Sequence, residues 1–398
     1  MASPLPWVAE KLEELRRQHL LRARRTVTPL PDGWCLVDGR RLRNFASNDY
    51  LNLAHDERLH AAARETLDRA GVGARASALV SGRTDWHQRL EQRLARFEGQ
   101  PAALLFPTGY AANLGTISAL VEPDDVIFCD RFNHASLVDG CRLSGARLRV
   151  YRHTRLETLR RALQKCTARR RWIVTDTVFS MDGDWAPLPE LCELSERYEA
   201  PLIIDEAHAT GVLGPSGRGV AEWQGVEDRV AVRVGTLSKA VGCLGGFVSG
   251  SRELVDWLWN RARTQVYSTA LPPSVCAAAC RAIDIIEEEP ERRERLLAAS
   301  AEFRRRLNAA GIETIPSAAG PIVPVLLHQP DRATHVATEL ERRGFFVAAI
   351  RPPTVPQGTS RLRITLTAAH SRDDLQQLAD TLAEVIGALH TSSEASQP

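Results

Sequence analysis

The sequence predicts an α/β protein built on a doubly wound, mostly parallel β-sheet. Seven short apolar runs occur between residues 102 and 249, and most are separated by segments with helical periodicity. Several runs are apolar at consecutive positions, which is typical of strands buried on both faces of a parallel sheet. The runs are 102–106, 126–129, 148–151, 172–175, 202–204, 230–234 and 246–249.

Four segments are predicted along the 398 residues. Residues 1–46 form an N-terminal arm, with an amphipathic helix and then a β-hairpin around Asp38 and Gly39. Residues 47–285 form a large domain that contains the seven-stranded sheet, and residues 286–390 form a smaller C-terminal α/β domain. Residues 391–398 are polar and are expected to be a disordered tail.

Composition argues against several classes of function. The net charge is +2 and the arginines are spread along the chain, so nothing favours nucleic acid as a ligand. No apolar run reaches membrane-spanning length and residues 1–18 show no signal peptide, so we expect a cytoplasmic protein. The eight cysteines form no C-x-x-C pair and no zinc-like spacing, which predicts reduced thiols and no metal.

Lysine is scarce in this chain, and one lysine follows directly on a strand. Among the 51 lysine and arginine residues, only Lys11, Lys165 and Lys239 are lysines. Arginine stays protonated in proteins, so only these three side chains could form an imine with a carbonyl compound. Lys11 and Lys165 fall in charged helices, whereas Lys239 follows a predicted strand and precedes glycines that permit close approach of a ligand.

Chemically active side chains follow several predicted strands, at the sheet edge where open parallel sheets bind ligands. Gly109 and Tyr110 open a helix whose first amides could bind a phosphate. His134 follows a second strand, and Asp205 and His208 follow a third. Singly, each could cap a helix or form an ion pair. Together with the lysine they suit pyridoxal phosphate (PLP), which needs an amine for its aldehyde, a carboxylate for its ring nitrogen and donors for its phosphate.

Four short motifs carry a family resemblance: residues 47–51 (SNDYL), 179–184 (FSMDGD), 205–208 (DEAH) and 235–239 (GTLSK). Together they resemble the α-oxoamine synthases, and the resemblance extends from about residue 5 to 388. It implies a fold-type-I PLP-dependent transferase that condenses an amino acid with an acyl thioester and releases CO₂. It also implies a homodimer with the active site at the subunit interface.

The resemblance implies a role for each matching residue of the cofactor site. Lys239 should hold PLP covalently, and His134 should stack on its ring. Asp205 should pair with the ring nitrogen and His208 with the phenolic oxygen. The remaining implied cofactor residues are Gly109, Tyr110 and Thr236 at the phosphate, and Ser180 lining the site.

A second set of residues is implied to bind substrate. Arg351 should clamp the amino-acid carboxylate, a task that suits a bidentate guanidinium. The other implied substrate contacts are Arg22, His134 and Thr354, and contacts at Ser268 and Thr269 are implied to come from the second subunit of the homodimer.

One segment, residues 349–370, is similar to a branch of the family that acts in biotin biosynthesis. That branch condenses L-alanine with a pimeloyl thioester to give 8-amino-7-oxononanoate, CO₂ and a free thiol. The sequence leaves the acyl carrier open between coenzyme A and acyl carrier protein. Asn52 and residues 73–79 depart from the glycine-rich family pattern, which leaves the acyl-chain specificity open as well.

Other activities share part of this residue set. A sister α-oxoamine synthase that condenses glycine with a short acyl-CoA would use every cofactor residue named above, and the segment at Arg351 argues against it. An aminotransferase would share only Lys239 and Asp205 and would consume no thioester. A non-enzymatic family subunit is expected to lack the lysine, which this chain retains.

Overall fold

The computed structural model describes residues 5–316 and 319–394. The chain divides into two compact units. Unit 1 comprises Met1–Ser47, Met181–Gly183 and Leu296–Pro398, and unit 2 comprises Asn48–Ser180 and Asp184–Arg295. None of the described helices is long and apolar enough to cross a lipid bilayer.

Fourteen α-helices and fourteen β-strands are present among the described residues. The helices are α1 (Pro6–Arg17), α2 (Glu57–Ala70), α3 (Asp85–Phe97), α4 (Gly109–Leu120), α5 (Ala135–Leu143), α6 (Leu156–Gln164), α7 (Leu188–Arg197), α8 (Val220–Trp223), α9 (Arg252–Arg261), α10 (Arg263–Val266), α11 (Pro273–Glu288), α12 (Pro290–Ala309), α13 (Pro330–Arg342) and α14 (Arg372–Glu394). The strands are β1 (Val27–Leu30), β2 (Trp34–Val37), β3 (Arg40–Asn44), β4 (Ala102–Phe106), β5 (Val126–Asp130), β6 (Arg147–Tyr151), β7 (Arg171–Asp176), β8 (Leu202–Asp205), β9 (Val232–Thr236), β10 (Gly246–Gly250), β11 (Ile322–His328), β12 (Phe345–Phe346), β13 (Ala348–Ile350) and β14 (Ser360–Thr365).

Unit 2 is built on a seven-stranded sheet with the strand order β4-β10-β9-β8-β7-β5-β6. Only β10 runs against the other strands of this sheet, because it pairs antiparallel with both β4 and β9. Every residue of β4, β5, β8, β9 and β10 is buried, which explains their consecutive apolar positions. The predicted mostly parallel, seven-stranded sheet is confirmed, although β9 begins two residues later than the apolar run at 230–234.

The register of this sheet places polar strand ends side by side. The last residue of β7, Asp176, lies directly opposite Asp205, the last residue of β8. Strand β10 begins at Gly246, which lies opposite Phe106 of β4 and Thr236 of β9. The carboxyl ends of the parallel strands therefore meet at one edge of the sheet, where ligands of such folds bind.

Unit 1 contains two smaller sheets. The predicted hairpin is confirmed, since β2 pairs antiparallel with β3. Strand β1 pairs with β2, and the two-residue strand β12 pairs parallel with β3, so the N-terminal arm shares a sheet with the C-terminal part of the chain. The second sheet has the order β11-β14-β13. Helix α14 continues to Glu394, inside the segment predicted as a tail, and residues 395–398 lie outside the described residues.

Candidate active site

Asp205 is a buried carboxylate at the end of β8. Its Oδ1 accepts a hydrogen bond from the backbone N–H of Ala207 at 2.8 Å, and its Oδ2 accepts one from Nδ2 of Asn113 at 2.6 Å. The residue is 5% exposed. An ionised carboxylate has about four acceptor positions, more than these two contacts use. Asp205 is therefore equipped to accept the N–H of a protonated ring nitrogen.

His134 is the N-cap of α5, and its ring is held by Ser136. The Nδ1 atom lies 2.7 Å from Ser136 Oγ and accepts from the Ser136 backbone N–H at 3.3 Å. Burial lowers the pKa of His134; the charge of Asp205 opposes this effect and the charge of Lys239 adds to it. The imidazole is therefore neutral at pH 7, as suits a ring that stacks on another ring.

Asp176 lies beside Asp205 at the sheet edge and belongs to the same site. Its Oδ2 accepts the backbone N–H of His134 at 2.5 Å. Burial raises the pKa of Asp176 well above its ordinary value, and the neighbouring Asp205 charge raises it further, whereas the His134 N–H and the Lys239 charge lower it. The net direction favours a protonated Asp176.

Lys239 lies in a tight turn after β9 and acts electrostatically on the same groups. Its charge lowers the pKa of both His134 and Asp176. Its backbone carbonyl accepts from the Gly242 N–H at 2.9 Å. Gly242 has a φ of +71°, and a Cβ there would lie 2.6 Å from the backbone nitrogen of Ala54. Glycine is thus required for the turn that presents the lysine.

Glycines also allow a close approach between the start of α4 and the start of β10. A Cβ on Gly246 would lie 2.4 Å from the carbonyl oxygen of Thr108, and one on Gly109 would lie 3.2 Å from the Thr236 side chain. The first amides of α4, at Gly109 and Tyr110, precede the hydrogen-bond ladder of the helix. Amides in this position bind phosphate groups.

The other predicted cofactor residues lie in unit 2 as well. His208 is buried, and its Nδ1 lies 2.6 Å from the hydroxyl of Tyr50. The rings of Tyr110 and His134 meet edge to face, with their centroids 6.3 Å apart. Ser180, four residues beyond β7, is partly exposed.

Unit 2 fits PLP by the chemistry of these groups. They comprise the amine of Lys239, the buried acceptor carboxylate of Asp205, the neutral imidazole of His134 and the first amides of α4. Each corresponds to one reactive or charged part of the cofactor, namely its aldehyde, its ring nitrogen, its ring face and its phosphate.

The predicted substrate residues Arg22, Arg351 and Thr354 lie together in unit 1. Arg22 Nη2 donates to Thr354 Oγ1 at 3.1 Å, and Arg351 Nη1 donates to the carbonyl oxygen of His19. Burial lowers the pKa of Arg351, and the positive charge of Arg22 lowers it further. Two guanidinium groups that raise the local positive charge in this way favour a carboxylate ligand.

Two departures from the family pattern keep a glycine-like backbone. Asn52 has a φ of +53° and Arg75 a φ of +67°, both in the left-handed region that favours glycine. Asparagine tolerates this region well. Next to Arg75, Ser77 forms an isolated antiparallel bridge with Thr269. Asn52 and Arg75 thus adopt a backbone conformation that glycine would also adopt, so the turns are kept.

Sequence reasoning missed three residues of the site: Asn113, Ser136 and Asp176. Asp176 ends a strand, which was a usable signal. Asn113 and Ser136 each lie near the start of a helix that follows a strand, but only their side-chain contacts reveal their place in the site.

A second buried cluster lies beside the strand ends. His153 joins two carboxylates, with Nδ1 3.0 Å from Asp130 Oδ1 and Nε2 2.8 Å from Asp184 Oδ2. Burial opposes protonation of His153, but the hydrogen bonds and charges of the two carboxylates outweigh it and raise the pKa to about 9. The imidazolium is therefore the folded-state form at neutral pH.

This cluster predicts a pH-dependent stability. The pKa of His153 rises from about 6.5 in the unfolded chain to about 9 in the folded protein, so its protonation stabilises the folded state. This stabilisation is fully present below pH 6.5. That stabilisation should be lost as the pH rises through 9, by roughly 2–3 kcal/mol. Urea unfolding at pH 6, 7.5 and 9 should show this fall in wild type and not in His153→Gln. The exposed His335→Gln is the matched control and should behave as wild type; equal pH slopes in wild type and His153→Gln would contradict the prediction.

Comparison with known proteins identifies similar chains by sequence and by structure. The family model of class I and II aminotransferases matches residues 40–382. A protein of Anaeromyxobacter dehalogenans (strain 2CP-1) named 8-amino-7-oxononanoate synthase is 49% identical over 382 residues, which cover 96% of each chain. A solved serine palmitoyltransferase from S. paucimobilis with bound PLP has a TM-score of 0.92 at 30% identity, covering 97% of this chain and 98% of that one. A solved 8-amino-7-oxononanoate synthase from Francisella tularensis has a TM-score of 0.77 at 30% identity, covering 88% and 99%.

Proposed function

We propose that this chain, which belongs to the class I and II aminotransferase family and within it to the 8-amino-7-oxononanoate synthases, condenses L-alanine with a pimeloyl thioester. The products are 8-amino-7-oxononanoate, CO₂ and the free thiol, so the chain is a PLP-dependent acyltransferase of fold type I in biotin biosynthesis. The observation that carries the proposal is the 49% identity to a relative of that name over 96% of the chain.

The residues of unit 2 have distinct tasks in holding the cofactor. PLP supplies an electron sink for the charge that develops at the α-carbon of alanine. Lys239 Nζ would hold it through its aldehyde carbon, and Asp205 would accept the N–H of its ring. The amides of Gly109 and Tyr110, with Thr236, would bind its phosphate. His208, whose Nδ1 lies 2.6 Å from the Tyr50 hydroxyl, would face its phenolic oxygen.

Lys239 has a second task as general base. In its neutral form the Nζ atom would take the proton from the alanine α-carbon. His134 stays neutral beside it, because burial disfavours its charged form. Arg351 binds the carboxylate of alanine, and Arg22 and Thr354 bind substrate alongside it, which agrees with the cationic character of that group.

Sequence, rather than backbone geometry, supports the choice of substrate. The serine palmitoyltransferase has the higher TM-score, 0.92 against 0.77, yet both solved structures share 30% identity with this chain. A common fold serves several acyl and amino-acid substrates, so backbone similarity carries little information on which one is used. The relative at 49% identity is the more specific guide.

A comparison of L-alanine with glycine as substrate tests this proposal. Purified protein is mixed with pimeloyl-CoA and either L-alanine or glycine, and thiol release is recorded. Alanine should give a kcat/KM about tenfold or more above that of glycine, because one buried methyl group is worth at least that factor. Faster thiol release with glycine would show a sister condensation, and keto-acid formation without thiol release would show an aminotransferase. Repeating the assay with pimeloyl-acyl carrier protein identifies the preferred carrier.

We also propose a cytoplasmic homodimer. Three large apolar side chains of unit 2 are strongly exposed, Val72 at 81%, Val80 at 79% and Tyr267 at 72%. Tyr267 precedes Ser268, whose contacts are expected to cross to the second subunit, and Val72 and Val80 flank residues 73–79. Exposed apolar clusters often mark protein interfaces. All eight cysteines are free, which suits a reducing compartment. A sedimentation mass near 44.0 kDa, the mass of one chain, would contradict the dimer.

A further inference from the structure

A buried chain of hydrogen bonds joins the two residues proposed to contact the PLP ring. Asn113 Nδ2 lies 2.6 Å from Asp205 Oδ2 and 2.9 Å from Ser136 Oγ, and Ser136 Oγ lies 2.7 Å from His134 Nδ1. Asn113 is 1% exposed and Ser136 is 0% exposed. The two linking residues come from α4 and α5, which follow different strands of the sheet.

The orientation of the Asn113 amide follows from its neighbours. A carboxylate oxygen accepts hydrogen bonds, so the atom 2.6 Å from Asp205 Oδ2 must be the Asn113 nitrogen. The opposite orientation would set the amide oxygen against a negative oxygen. Asn113 Oδ1 is buried without a hydrogen-bond partner among the described residues.

The hydrogen-bond donors around Ser136 and His134 also indicate which atoms of these side chains carry a proton. Ser136 Oγ accepts one N–H of Asn113 and lies 2.7 Å from His134 Nδ1, so its own hydrogen is available to point toward that nitrogen. The Ser136 backbone N–H, an obligatory donor, also faces Nδ1 at 3.3 Å. With two donors directed at it, Nδ1 carries no proton, so a neutral His134 has its proton on Nε2.

We propose that Asn113 and Ser136 are positioning residues that set the protons of the cofactor site. Through them Asp205 stays an accepting carboxylate, and His134 stays a neutral imidazole that offers an Nε2–H donor. This inference rests on the proposed function only for the identity of the ring that Asp205 and His134 contact.

The charges around His134 agree with this assignment. Burial has the largest effect and lowers the pKa of His134. The charge of Lys239 lowers it further, whereas the charges of Asp205 and Asp139 raise it. Asp176 accepts a hydrogen bond from the backbone N–H of His134. The Tyr110 ring meets the imidazole edge to face, and its hydroxyl bonds to Asp139.

Imidazole nitrogen chemical shifts test the proposal directly. The full-length protein is labelled with ¹⁵N-histidine and measured as holoenzyme and after removal of PLP, between pH 6 and 8. His134 should show an unprotonated Nδ1 and a protonated Nε2 in both forms. Ser136→Ala removes one donor to Nδ1 and should populate the Nδ1-protonated tautomer. The His134 signals are assigned by their loss in His134→Gln.

Cofactor affinity gives a second readout. Asn113→Asp replaces the donor beside Asp205 with a like charge and should weaken PLP binding to the apoprotein about tenfold or more in a fluorescence titration. Thr116→Val is the matched control, since this fully buried α4 hydroxyl has no hydrogen-bond partner among the described residues, and it should change neither readout.

Either of two results would overturn the proposal. One is a wild-type His134 with its proton on Nδ1, and the other is a Ser136→Ala protein with unchanged His134 shifts. Neither measurement uses an amino acid or a thioester. A protein that condenses a different pair of substrates would therefore contradict the proposed function in the comparison of alanine with glycine. The tautomer of His134 could still be measured in that protein.

Discussion

Lys239→Ala protein is expected to lose about 10⁴-fold in kcat/KM and to bind PLP only noncovalently. Lys239 is proposed to hold the aldehyde carbon of PLP and to take the proton from alanine, and the mutation removes both functions. No neighbouring side chain can replace it, because only Lys11 and Lys165 are also lysines, both in other parts of the sequence. Thiol release gives the rate, and borohydride reduction followed by peptide mass spectrometry gives the site of attachment.

The other lysines provide matched controls for this variant. Lys165 is exposed at the end of α6, so Lys165→Ala should keep wild-type rate and wild-type attachment of PLP. The covalent role would be refuted by a Lys239→Ala protein that still carries borohydride-fixed PLP on any residue. A wild-type rate in that variant would refute the role as base.

Asp205→Asn should lower kcat about 10²- to 10³-fold, the usual cost of removing one preorganised electrostatic group. The amide has the same shape but no charge, so it no longer favours a protonated ring nitrogen. The loss should appear in kcat more than in KM for alanine, because the interaction matters most when charge develops at the α-carbon. Steady-state kinetics with varied L-alanine separate the two parameters.

Asp176→Asn is the matched comparison for this prediction. Asp176 is as buried as Asp205, 5% exposed, and lies directly opposite it in the sheet. Its raised pKa favours the protonated acid, which an amide resembles, and the amide oxygen can still accept from the His134 N–H. The loss in kcat should stay below about tenfold. A larger loss for Asp176→Asn than for Asp205→Asn would reverse the assignment of the two carboxylates.

The sheet and the main elements of the candidate site were predictable because their signals are local. Burial on both faces gives consecutive apolar residues, and this pattern located all seven strands of unit 2 to within two residues. Parallel strands bring their carboxyl ends to one edge, so His134, Asp205 and Lys239 could be grouped before any contact was known. The substrate came from family motifs, since neither periodicity nor charge distinguishes alanine from glycine.

Other features depend on contacts between distant residues and were decided only by the tertiary structure. Strand β12 has two residues, too few for a periodic pattern, and exists because β3 offers it a hydrogen-bonding edge. Asn113 and Ser136 are ordinary helix residues in the sequence, and they matter because packing of α4 against α5 brings their side chains within 2.9 Å. Sequence alone determined which chemical groups stand at the edge of the sheet. The fold determined which hydrogen bonds each group makes, and those bonds set where the protons lie.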